Sequence, residues 1–165
     1  NQANDVNAAV ALVATLQAQV ETLQATVAAL QANNVANLGT YLRIGEHNGE
    51  TAAIFEAVNV LVWNGTGSTV GTPNGVGNLI VGYDENTGSD DKTGSRNLVV
   101  GPEHTYSSYG GLVAGLNSNV TGANTSVSGG WDNNASKAYS SVSGGRNREA
   151  SGPDDWRANT LSENN

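Results

Sequence analysis

The sequence predicts an N-terminal α-helical parallel coiled coil followed by an all-β solenoid of short stacked turns. Two periodicities carry that expectation. Residues 6–34 repeat apolar side chains every seven positions, and a phrase ending in glycine returns five times after residue 76. It reads Asn78-Leu-Ile-Val-Gly82, Asn97-Leu-Val-Val-Gly101, Gly111-Leu-Val-Ala-Gly115, Thr125-Ser-Val-Ser-Gly129 and Ser140-Ser-Val-Ser-Gly144, with steps of 19, 14, 14 and 15 residues. A fixed short period marks stacked copies of one small unit, each unable to bury a core alone, and not a globular enzyme. The chain divides accordingly into a stalk at 1–38, a β-rich connector at 39–75, solenoid repeats at 76–152, and a cap and tail at 153–165.

In the stalk, Val6, Val13, Val20 and Val27 take heptad position a, and Ala9, Leu16, Leu23 and Leu30 take position d. Four heptads of this spacing argue for supercoiled helices, with these eight side chains as the oligomer core. One amphipathic helix packed on its own chain is the alternative, but the remaining sequence offers no matching apolar face. Val at a with Leu at d favours a dimer, whereas Val10 and Leu12 widen the apolar face toward three strands; the helix alone does not choose between them. Polar Asn34 and Asn37 fall at the next core positions, where they fix register and, on a three-fold axis, are candidates for an anion such as chloride. Gly39 is expected to end the helix.

The connector changes period. Thr40–Ile44 reads as a strand, His47-Asn-Gly49 as a turn, and the alternation Val58, Val60, Val62 as a second strand. Residues 64–75 read as a loop by composition.

In the repeats, Ile80, Val99, Val113, Val127 and Val142 are β-branched at the same position, which suits a strand with that side chain inward; they form the expected solenoid core. Their neighbours face the other way. That outer column begins with Leu79, Leu98 and Leu112 and continues with serines, so the three leucines are the inter-subunit candidates. A second short segment follows each of the last three turns, at 119–122, 134–136 and 149–152. Glycines suit the corners. The tail Gly152-Pro-Asp-Asp-Trp-Arg157 breaks the period, and Trp156 is expected to cover the open edge of the last turn.

Repeats such as Ala123-Asn-Thr-Ser-Val-Ser-Gly-Gly-Trp-Asp-Asn-Asn-Ala-Ser136 resemble the head repeats of trimeric autotransporter adhesins of the YadA type. The resemblance covers residues 76–152, and the stalk extends it to 1–38. It implies a left-handed parallel β-roll, three chains wrapped together, and an exported bacterial-type protein at the cell surface. Coil precedes head here, the reverse of those adhesins. The stretches around Gly77–Tyr83 and Asn97–His104 are also similar to uncharacterised secreted bacterial proteins of stalk-plus-repeat design.

Composition narrows the chemistry. The 165 residues carry a formal charge of −8, with 7 Lys and Arg, no Cys and no Met. No disulfide or CxxC chemistry is available. So few cations cannot neutralise a row of phosphates, which argues against nucleic acid. No run is read as apolar enough to span a bilayer. A start at Asn1 without methionine, in a polar Asn/Gly/Ser/Thr-rich chain, is expected for an exported protein freed of its signal peptide. The sequons at Asn64, Asn119, Asn124 and Asn134 are taken as chance products of this composition.

No catalytic constellation is evident, and a non-enzyme is expected. His47 and His104 lack a third nitrogen ligand, and His104 is read as an exposed loop residue. The acidic loop at 84–92 offers Asp84, Asp90 and Asp91 as weak calcium candidates, off the calcium-loop spacing; otherwise no cofactor is called for. Trp131 with Tyr83, Tyr106, Tyr109 and Tyr139 is either a sugar-stacking strip or loop packing. The functional expectation is a structural subunit of an extracellular fibre, filament or adhesin. It would self-assemble as a homotrimer, polymerise end to end, and meet a cell-surface glycan or matrix. The alternative is a carbohydrate-binding tail-spike or surface-recognition module.

Overall fold

The computed structural model describes residues 1–32, 38–158 and 161–163, the last three by backbone alone. The chain forms two compact units, residues 1–60 and 61–165. Asn34 and Asn37, the proposed register and anion positions, lie outside the described residues.

In the first unit, α1 spans Gln2–Ala32 with Asp5 in its first turn, where the helix dipole favours a negative charge. Thr15, Thr22 and Thr26 satisfy their hydroxyls by donating to the carbonyls of Ala11, Ala18 and Thr22. No residue of α1 is buried. By length and composition α1 is apolar enough to cross a membrane, which corrects the expectation that no run is. Alanine at the outer positions raises the average without making a continuous apolar run.

Gly39 sits in a 3-10 turn, Leu38–Thr40, and not at the end of the described helix. β1 (Leu42–His47) then pairs antiparallel with β2 (Glu50–Phe55), from Leu42 opposite Phe55 to His47 opposite Glu50. Asn48 and Gly49 make the two-residue turn with φ of 54° and 87°, the left-handed pair that this hairpin requires. The second connector strand therefore lies at 50–55. Val58, Val60 and Val62 form no strand and are exposed. Ala57 at φ 56° turns the chain away just after β2, so the valine alternation meets no partner edge.

The second unit is a parallel β-solenoid of about five turns. One sheet stacks β3 (Leu79–Val81), β4 (Leu98–Val100), β6 (Leu112–Ala114), β8 (Ser126–Val127), β10 (Ser141–Val142) and β12 (Trp156–Ala158) in parallel, closed by antiparallel β13 (Leu161–Glu163). A smaller parallel sheet stacks β5 (Thr105–Tyr106), β7 (Asn119–Val120), β9 (Asn134–Ala135) and β11 (Glu149–Ala150). The three second segments read from sequence are β7, β9 and β11; β5 is a fourth, with Tyr106 inward.

The core is two facing columns. Val99, Val113, Val127 and Val142 are fully buried, and they meet Tyr106, Val120, Ala135 and Ala150 from the smaller sheet. Ile80 departs from expectation: it is 43% exposed, because β3 is the first rung and has β4 on one side only. The tail also departs. It keeps the period, with Trp156 opposite Ser141 and Arg157 opposite Val142. Trp156 belongs to a rung, its Nε1 donating to Ser143 Oγ (2.7 Å), and β13 covers the edge in its place.

Glycine serves the corners at Gly101 and Gly115, both near φ 107°, where a side chain would run into the carbonyl of the next turn. Other left-handed corners use larger residues. Glu103, Asn117, Asp132 and Asn147 recur at one registered position, and Arg96, Asn124, Tyr139 and Asp154 recur at another.

Candidate functional site

Three features of this fold bear on function: an apolar outer face, a polar ladder inside the coil, and a cleft beside the first turn. The outer face follows from strand alternation. Leu79 (53% exposed) stands opposite Leu98 (38%), and Leu98 opposite the half-buried Leu112. Val81, Val100 and Ala114 lie on the same side two residues along. The next rungs replace them with Ser126, Ser128, Ser141 and Ser143. All eight heptad residues, Val6, Ala9, Val13, Leu16, Val20, Leu23, Val27 and Leu30, are likewise exposed, the larger ones by 50–63%.

The interior ladder was not read from sequence. At one corner the side chain of each turn accepts the backbone N–H of the residue stacked on it. Asn78 Oδ1 accepts from Asn97 N, and Asn97 Oδ1 from Gly111 N. At the opposite corner His104 Nδ1 accepts from Ser118 N (3.1 Å), Ser118 Oγ from Asn133 N (3.3 Å), and Asn133 Oδ1 from Arg148 N (2.9 Å). His104 is fully buried and not an exposed loop residue, since its corner lies inside the stack. Its Nδ1 is an acceptor, so the ring proton sits on Nε2, which donates to the Val100 carbonyl (3.1 Å). The ladder's signal was the 14- and 15-residue spacing of His104, Ser118 and Asn133, hidden because three residue types share one role.

The acidic loop is satisfied from within. Lys92 Nζ pairs with Asp84 Oδ1 (2.8 Å) and donates to the carbonyls of Asp84 and Glu85 (2.5 and 3.0 Å). The ammonium thus takes the Asp84 carboxylate and two neighbouring carbonyls. Asp84 Oδ2 accepts from the Tyr106 hydroxyl (2.6 Å). Burial, then this hydrogen bond and the Asp84 charge, raise the Tyr106 pKa well above the usual phenol range. Asp90 accepts from the Thr87 backbone N–H and hydroxyl (2.8 and 2.7 Å), and the backbone bond chiefly holds its carboxyl below its ordinary pKa. Asp91 accepts from Thr93. Among the described residues no cluster of three or more His, Asp or Glu is placed to hold a metal.

The aromatic residues form no single strip. Tyr106 is core, Trp131 stacks on Arg146 (3.7 Å), and Tyr109 lies against Arg96 (5.5 Å). A cleft of about 330 Å³ opens beside Arg96, walled by Trp63, Asn64, Ser68 and Thr69 with the backbone of Gly65 and Gly67. Arg96 Nη2 donates to the Gly71 carbonyl (2.7 Å) and Asn74 exchanges hydrogen bonds with Ser95, which holds this loop on the first turn. Nothing in the sequence marked the cleft, because it joins an irregular loop to a residue more than twenty positions away. No protein family, curated protein or solved structure matches this chain.

Proposed function

We propose that this protein is a structural subunit of an extracellular fibre, filament or adhesin, assembled as a parallel homotrimer in the manner of the YadA-type adhesins its repeats resemble. The observation that carries the reading is α1: 31 residues with none buried, and valine and leucine exposed at heptad spacing. Valine and leucine left in water along a whole helix face are unfavourable, and burial against sister helices removes that cost. The solenoid supports the same reading, since its apolar outer face at Leu79, Leu98 and Leu112 gives neighbouring coils a contact beyond the stalk. Stalks joined in parallel keep three coils at high local concentration, which favours contact between these faces. Export to the cell surface and a left-handed β-roll belong to the same proposal. No catalytic step is part of it.

Sedimentation equilibrium tests it. The full chain is expected at three times its 16.9 kDa mass. A chain lacking residues 1–36 that stays trimeric assigns the main contact to the repeats, and one that becomes monomeric assigns it to the stalk. A folded monomer of the full chain at low micromolar concentration overturns the proposal.

A further inference from the structure

We infer that the cleft beside the first solenoid turn binds an acidic sugar, a pyranose carrying a carboxylate. The inference stands apart from the assembly proposal, because residues of one chain within one unit make the whole site.

Unmet donors are the first ground. Asn64 is 7% exposed; its Oδ1 accepts from Thr66, but its Nδ2 is closed off from water and has no partner. Arg96 Nε and Nη1 are in the same condition. Arg96 pairs with no carboxylate among the described residues, whose two ion pairs are Arg43–Glu56 and Lys92–Asp84. Buried donors are nearly always satisfied, so three orphans on two residues that line one cleft point to an acceptor that arrives from outside. The guanidinium prefers a carboxylate, which takes two charge-assisted bonds from its planar fork.

The indole is the second ground. Trp63 is 76% exposed and has no part in the core, yet it lines the same cleft. A flat apolar ring beside a few polar groups suits the face of a pyranose, whose C–H bonds lie against the ring while its hydroxyls reach Ser68 and Thr69. The cleft's size is at the small end for ligand sites and accommodates one sugar ring. Gly65 and Gly67, with positive φ and open space around them, form a wall without side chains, and a shift of this loop on binding, part of the same inference, lets a ligand oxygen reach the shielded donors. The chain's charge of −8 opposes any anion at long range. Selectivity must therefore come from the contact itself, where the desolvated guanidinium acts most strongly.

The three tryptophan indole signals of the full chain in ¹⁵N-correlated NMR provide the test, with D-glucuronate, D-glucose and acetate as probes. Glucuronate is expected to shift the Trp63 signal saturably, and glucose to bind roughly tenfold more weakly. Acetate is expected to leave the indole unmoved. Saturation-transfer NMR on Trp63→Ala and Arg96→Lys should show glucuronate binding lost in each. The first removes only an exposed side chain, and the second keeps the charge without the fork. No movement of the Trp63 signal by about 50 mM glucuronate, far above a millimolar dissociation constant, overturns the inference. So does equal binding of glucose, an equal response to acetate, or undiminished binding by Arg96→Lys.

Discussion

His104 and Tyr106 show how single side chains hold a coil too thin for a conventional core. His104 joins two successive turns by accepting from Ser118 N and donating to the Val100 carbonyl. His104→Leu leaves both groups dry and unpaired. It is expected to cost about 2 kcal/mol, read as a lower urea midpoint, with His104→Asn recovering part of the loss because an amide carries both a donor and an acceptor. Tyr106 supplies a pH test. Its pKa is raised in the fold, so the protonated phenol is favoured there more than in the unfolded chain. Its contribution is complete below the unfolded value near 10 and is lost as pH rises through the folded value. The urea midpoint should fall with rising pH above about 10, and more steeply than in Tyr106→Phe, which has no phenol to titrate.

At the scale of the element, the rungs stack only where corner backbones come close. Gly115 has φ 107°, and a Cβ there would overlap the Gly130 carbonyl oxygen. Gly129, in the following turn, has open space around it and no positive φ. Gly115→Ala is therefore expected to cost about 3 kcal/mol, whereas Gly129→Ala should be close to neutral, a contrast that melting temperatures resolve. The hairpin of β1 and β2 obeys an equally local rule. Asn48-Gly49 fixes its turn, which is why that turn was readable from sequence while the strands flanking it were placed two to eight residues off. The valines after Ala57 alternate as a strand does, but alternation describes a surface and cannot supply the neighbouring edge that a strand requires.

At the scale of the whole molecule, exposed apolar surface is the dominant fact. Seven large heptad residues are at least half exposed, and the first solenoid rungs present leucine and valine outward. Surface of this extent is what the proposed assembly would bury. Leu16→Asp places a charge in the middle of the heptad seam. It is expected to drop the sedimentation mass to that of a monomer while the far-ultraviolet β signal of the solenoid persists, since the two units are separately compact. Loss of both together would show instead that the solenoid depends on assembly. The solenoid's ends also differ: β13 closes the last rung antiparallel, and β3 leaves the first with Ile80 exposed.

By itself the sequence determined the helix, the solenoid, the inward valines at 99, 113, 127 and 142, and the glycines at their corners. Each is a periodic or local property: side-chain direction follows spacing along the chain, and positive φ follows the residue at the turn. Tertiary structure alone decided what depends on contacts between residues 8 to 33 positions apart. It buried His104 and paired Lys92 with Asp84. It made Trp156 a rung and not a lid, and it set Trp63 and Asn64 beside Arg96. These outcomes rest on which groups the winding of the chain brings within reach. A distance between turns is a property of the wound chain and of no segment within it.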